Sequence, residues 1–243
     1  MGKAIMLKPE QLINIDLTDI TSGLVSILKN NKTIDNKDIV INCPNWCTTE
    51  GNCDSLLYSL NSGAKGPRTF TLNCNKTSKP NWASSTFYGN WSSILEEIHI
   101  PNADWSACRM VSNLFYIQPK LKIIDTVLDF SSVDSSGYQN NPFFGDNELT
   151  TVTFAPNCIK YNISFSYSSK LNDKSIISIA NALREGLSGN ALTLHATVKA
   201  KCQLIMGTIS MDETQSYHVF TRDESGATTL EEFITNTKGW RIV

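Results

Sequence analysis

Short apolar–x–apolar triplets recur along this 243-residue chain. They are Ile39-Val40-Ile41, Phe70-Thr71-Leu72, Ile98-His99-Ile100, Leu128-Asp129-Phe130, Val152-Thr153-Phe154, Ile163-Ser164-Phe165, Leu192-Thr193-Leu194 and Trp240-Arg241-Ile242. In each, the outer residues point to one face of a short strand and the middle residue to the other. The starting positions differ by 31, 28, 30, 24, 11, 29 and 48 residues. Most of these intervals match one another, one is too short and one carries an insertion. Strands spaced in this way, each followed by a polar turn, predict a solenoid whose rungs stack their i and i+2 residues into one continuous core. A β-sandwich would repeat its strands about every 8–12 residues, which these intervals exclude.

The residues after the strands refine the picture. Ile41 and Leu72 are each followed by Asn-Cys (Asn42-Cys43 and Asn73-Cys74), where leucine-rich repeats place the Asn or Cys that bonds the turn inside the stack. From Ile163 the chain reads as strand, turn, helix and next strand. Asn172 or Asp173 caps the helix, Ile176, Ile179, Ala180 and Leu183 form its apolar stripe, and Gly186 suits its stop. Leu17, Ile20, Leu24, Ile27 and Leu28 share one helical face and predict an N-terminal helix over the open end of the solenoid. Toward the other end, Ile205 to Ile209 and Tyr217 to Phe220 alternate as a hairpin, which explains the 48-residue interval. Thr228 to Phe233 reads as a capping box opening a short helix, which Gly239 ends before Trp240-Arg241-Ile242-Val243. The expected architecture is therefore an α/β leucine-rich-repeat solenoid with stacked parallel strands. Residues 1–36 form an N-terminal cap or docking segment, 37–200 the repeats, and 201–243 a hairpin–helix–strand cap.

Two stretches carry a family resemblance. Thr153-Phe-Ala-Pro-Asn-Cys158-Ile-Lys160 with Ile163-Ser-Phe-Ser166, followed by Leu192-Thr-Leu-His-Ala-Thr-Val198-Lys199, resembles the BspA-like leucine-rich-repeat proteins of gut bacteria and their phages. The tail Phe233-Ile-Thr-Asn-Thr-Lys238-Gly239-Trp240 is similar to the Lys-Gly-Trp terminus of that family. The likeness is concentrated in residues 149–243. It implies a non-catalytic phage virion protein of the tail or an accessory structural position, made in the host cytoplasm. Such a protein would belong to an oligomeric assembly and contact other virion proteins or a host-surface glycan or protein. The bacterial members imply the alternative, a cell-surface adhesin or protein- or glycan-binding module. The opening Met1 to Met6 is followed by Pro9, Glu10 and Gln11 without an apolar secretion core, which favours the phage setting.

Composition narrows the partners. Lys plus Arg number 21 against 23 Asp plus Glu, so no basic face is expected for nucleic acid or an anionic membrane. No apolar run reaches the roughly 18 residues that cross a bilayer. Cys43, Cys47, Cys53 and Cys74 could close a four-thiolate zinc site, but they lack the Cys-x2-Cys pair, and Cys43 and Cys74 already occupy equivalent rung positions. The histidines His99, His195 and His218 lie in no nucleophile or metalloprotease motif, and no phosphate-cradling loop is present. His99 and His195 fall on the polar side of strands, where a shared sheet face would bring them together. The expectation is no enzyme and no cofactor. Trp46, Trp82, Tyr88, Trp91 and Trp105 are interleaved with asparagines, the residue pairing of a sugar-stacking surface. Tyr138, Gln139 and Asn140 form a second candidate binding loop, beside Phe143 and Phe144 read as buried turn aromatics.

Overall fold

Apolar side chains at alternate positions of a single short strand can leave water only beneath the same positions of the next rung. The structure, a computed structural model, describes residues 12–16, 34–46, 51–52, 66–76, 78–89, 92–138 and 140–243. Its elements, in order, are β1 (Leu12–Asp16), β2 (Asp38–Asn42), β3 (Gly51–Asn52), β4 (Thr69–Asn73), β5 (Pro80–Trp82), β6 (Glu97–His99), β7 (Ile123–Leu128), β8 (Thr151–Phe154) and β9 (Ile163–Phe165). Helix α1 (Asp173–Ala182), β10 (Ala191–Leu194) and α2 (Ala196–Cys202) follow. The chain closes with β11 (Met206–Asp212), β12 (Tyr217–Arg222), β13 (Thr228–Thr229), α3 (Leu230–Glu232), a π-helical turn (Phe233–Thr237) and β14 (Arg241–Ile242). They build a stacked parallel-strand solenoid of about five turns.

The first face is a parallel sheet in the order β1-β2-β4-β6-β7-β8. Register places Ile39 against Phe70, Phe70 against Ile98 and Ile98 against Ile124, one buried column through four rungs. Strand β1 extends this sheet, pairing residue for residue with β2 through Ile13–Ile39 and Ile15–Ile41. Its alternation of Ile13 and Ile15 with Asn14 and Asp16 is the same period-2 signal as in the triplets. The predicted helix over residues 17–28 lies outside the described residues.

The second face is more irregular. Residues 81–89, 109–117 and the described part of 137–144 (137–138 and 140–144) stack through backbone bonds at intervals of one turn, such as Phe87 N–H to the Leu114 carbonyl and Phe115 N–H to the Pro142 carbonyl, both 2.9 Å. At Gly137 a Cβ would stand 1.9 Å from the Arg109 carbonyl oxygen, so only glycine permits that approach. Strands β9, β10 and β14 continue the face as a parallel sheet. This division explains the 11-residue interval: Val152 and Ile163 belong to opposite faces of one turn, whereas Ile163 and Leu192 are paired in adjacent turns. The triplet at Leu128 is also displaced, because the strand occupies Ile123–Leu128 and ends where the triplet begins.

A column of buried rings fills the space between the faces. Phe87, Phe115, Phe143 and Phe165 stack in succession with centroids 5.5, 5.6 and 4.6 Å apart. Phe70 meets Phe87 edge-on at 5.8 Å, and Phe154 meets Phe143 at 5.9 Å, tying the first face to the second. Beside this column Gln118 takes its backbone N–H to Asp146 Oδ1 at 3.0 Å and gives its side-chain amide to the Phe87 carbonyl. Asp146 is fully buried, its Oδ2 has no partner among the described residues, and burial pushes its carboxyl well above the usual range despite the bond from Gln118.

The strand–turn–helix unit read from the sequence occurs once, at 163–194; among the described residues every α-helix lies beyond Asn172. Asn172 is the cap, its side chain accepting the Ser175 N–H at 2.9 Å. Helix α1 lies along the outer edge of β8. Ser175 Oγ accepts the Val152 N–H at 3.0 Å and Ser178 Oγ accepts the Phe154 N–H at 2.9 Å, supplying acceptors a further strand would have offered. The hairpin β11–β12 is antiparallel as expected. Thr229 and Glu232 form the capping box, each side chain accepting the other's backbone N–H. Gly239 follows in the left-handed conformation at φ 76°.

Two outcomes follow from this core. Truncating Phe165 to Ala, which removes a ring packed on Phe143 and Phe154, is expected to cost about 3–5 kcal/mol in a urea titration; a near-neutral result would reverse the strand faces. For Asp146→Asn the sign is set by linkage: a carboxyl raised in the folded state loses stability as pH climbs from its unfolded value near 4. Asn keeps the acceptor for Gln118 and removes the buried acid. The variant should therefore be more stable than the parent at pH 7, on the order of 1–3 kcal/mol. The gain should vanish near pH 3, and a pH-independent difference would contradict this account.

Candidate functional site

Two of the tryptophans expected on a sugar-stacking surface lie elsewhere. Trp46 and Trp105 are each only 1% exposed and meet edge-on at 6.3 Å inside the coil. Trp105 Nε1 donates to the buried Thr126 hydroxyl at 2.8 Å, so this indole is a satisfied core group. A ring with both faces packed cannot stack on a ligand, and these two leave the candidate surface. Trp91 and Gln139 lie outside the described residues, as does the Trp82 side chain, though its backbone is the last residue of β5.

Tyr88 is half-exposed, and one face of its ring is covered. It stacks on Tyr116 at 5.1 Å and 15°, Tyr116 stacks on Phe144 at 5.0 Å and 14°, and Phe144 meets Tyr167 at 4.7 Å. These rings form an outer ladder beside the buried phenylalanine column. Phe143 is buried as expected, while Phe144 belongs to this outer ladder. Because the inner rungs spend both faces on each other, they present edges to solvent. The 28-residue recurrence of Phe87-Tyr88, Phe115-Tyr116 and Phe143-Phe144 is a signal in the sequence that would have revealed both columns.

Tyr138 does line a groove. Its ring stacks on Tyr161 at 5.9 Å, and the opening continues over Asn162, Ser164, Asn190 and Thr193 with a volume of ≈ 410 Å³. Asn141 is fixed at its rim, donating to the Ser164 carbonyl at 2.9 Å and accepting the Phe143 N–H. The Tyr138 hydroxyl is buried without a partner among the described residues, and burial raises its pKa well above the usual phenol value. Asn140 is exposed nearby, its N–H donating to Ser112 Oγ at 3.1 Å. Tyr161, Asn162 and Asn190 were not singled out from the sequence; the Asn162–Asn190 pair, one turn apart, is the feature that marks them.

The titratable groups are held in structural pairs. His99 bonds Asp125 at 3.0 Å on the next rung and Glu97 at 2.9 Å on its own strand. Burial presses its imidazole down, but the two carboxylates outweigh this and hold its pKa above the usual value. His195 lies on the other sheet's side of the molecule, where its Nδ1 caps α2 by accepting the Thr197 N–H. The two histidines therefore do not share a sheet. His218 bonds Glu185 at 2.9 Å, and Lys238, wholly buried, reaches Glu185 at 3.1 Å and the His218 carbonyl at 2.9 Å. Burial lowers the Lys238 pKa against the pull of Glu185, and its ammonium lies 5.3 Å from the Phe233 ring centre. With Trp240 Nε1 donating to the Arg184 carbonyl at 2.9 Å, the Lys-Gly-Trp segment is explained as a lock on the preceding turn. Burial pushes the Cys158 and Cys202 thiols up to about 12, which leaves them unreactive near neutrality. Cys43 and Cys74 are buried in adjacent rungs, and no metal-holding cluster occurs among the described residues.

Replacing Lys238 with Met keeps the stem and removes the charge that Glu185 faces. Because Glu185 retains His218 and some solvent, the expected loss is about 2–4 kcal/mol in chemical denaturation; an unchanged midpoint would show that the pair does not hold the terminus.

Comparison with protein-family models, with curated proteins and with solved structures returns no match.

Proposed function

We propose that this chain is a non-catalytic structural component of a phage virion, in the tail or an accessory position, that works by presenting the outer surface of its solenoid. The supporting observation is the state of several reactive side chains among the described residues. His99, His195, His218, Glu185 and Lys238 are each engaged in a cap or ion pair, and Cys158 and Cys202 are held protonated by burial. Catalysis needs a group left poised for substrate, and these are spent on holding turns together. What such a fold offers instead is a long, repetitive surface, the usual binding face of solenoids. The BspA-like resemblance of residues 149–243 supplies the virion setting.

Mass spectrometry of virions purified through a density gradient tests this reading. Peptides of the chain should band with the capsid and tail proteins at a fixed ratio. Their absence from the particle, with recovery from a bacterial surface fraction instead, would replace the virion role with that of an adhesin.

A further inference from the structure

The groove beside Tyr138 spans three successive rungs. Tyr138 and Asn141 stand on the first, Tyr161 and Asn162 on the second, Asn190 and Thr193 on the third, and no charged side chain lines it. Its ≈ 410 Å³ falls within the range of small-ligand sites. Its amides are oriented before any ligand arrives. Asn162 Oδ1 accepts the Ala191 N–H at 2.8 Å, and Asn190 Nδ2 donates to the Lys160 carbonyl at 2.8 Å. Each bond fixes one half of the amide and leaves the other half, a donor on Asn162 and an acceptor on Asn190, without a partner among the described residues. The two asparagines stand on adjacent rungs, one residue out of register.

Tyr161 supplies the apolar part. One face of its ring is covered by Tyr138. On its other side the register sets the rung of Asn190, and among the described residues no further ring contact continues the stack. A half-buried ring beside a fixed donor and a fixed acceptor, in an uncharged groove, describes a ligand with an apolar flank, vicinal hydroxyls and no ionic group. We propose that this groove binds a neutral carbohydrate, one pyranose ring packed against the half-buried Tyr161 with its hydroxyls held by Asn162 and Asn190. An anionic sugar would find no cation to offset its desolvation. The site deepens the surface-presenting role above and rests on it only for its biological setting.

Saturation-transfer NMR on the full chain tests the proposal. The probes are glucose, galactose, mannose, N-acetylglucosamine and their β-linked disaccharides, with sialic acid as the anionic control. At least one neutral saccharide should receive saturation. Tyr161→Ala should weaken its binding about tenfold or more. Asn162→Asp is the sharper variant, because its carboxylate still accepts the Ala191 N–H while the donor is lost; a similar loss with an unchanged melting temperature is expected. Met211→Ser, on the distant exposed hairpin strand, should leave binding unaltered. The proposal is overturned if no neutral saccharide binds, if sialic acid alone binds, or if binding persists in both groove variants. Virion mass spectrometry separates this from the wider reading: a chain present in particles that binds no sugar loses the groove and keeps the virion role, and a sugar-binding chain absent from particles does the reverse.

Discussion

Neighbouring strands in a sheet lie about 4.8 Å apart, and in a solenoid that distance recurs along the whole molecule. It governs what can stand at each position, because every side chain meets its counterpart one turn away before it meets anything else. Flat rings tolerate this repeat well. The inner column of Phe87, Phe115, Phe143 and Phe165 and the outer one from Tyr88 to Tyr167 both keep centroids near that spacing. Amides tolerate it too. Asn73 donates to Asn42 and Asn42 to Asp16, each at 2.7 Å, along the exposed margin of the first sheet. A bare charge fits such a column badly, since its nearest neighbour is whatever repeats. His99 is accommodated by placing Asp125 on the next rung.

This rule also determines what could be read from the chain. The triplets at Ile39, Phe70, Ile98, Val152, Ile163 and Leu192 were legible as strands because period-2 burial leaves the same trace wherever it occurs. The assignment of those strands to two faces was not, since an inward pair such as Val152 and Phe154 looks the same as Ile163 and Phe165. Helix α1 and the capping box at Thr229 were legible because they depend on local hydrogen bonds.

The candidate surface was read less well, for a physical reason. Trp46 and Trp105 sit in turns rich in Asn and Ser, and the same composition serves an exposed loop and a turn folded inward over a solenoid core. Only the partner decides between them, and Thr126, which takes the Trp105 indole N–H, is 21 residues away in sequence. Tyr138 belongs to a groove for a similar reason: Tyr161 and Asn190 reach it from later rungs. Position equivalence, more than residue type, carries the information. Ile117 and Gly145, 28 residues apart, both adopt positive φ, so the rung imposes a backbone that the residue alone would not select.

The two serines of α1 bear on a different problem. A stack of parallel strands is a polymer of rungs, and its last strand is a growing end, with unpaired N–H groups that would accept a strand from any neighbour. At β8 those groups are consumed by Ser175 and Ser178, carried three residues apart on a helix so that they meet N–H groups two residues apart on the strand. The helix thereby acts as a chain terminator for the first sheet. The second sheet propagates two strands further, to β10 and β14. The extent of the first sheet, though not of the whole stack, is thus written into a pair of hydroxyl groups.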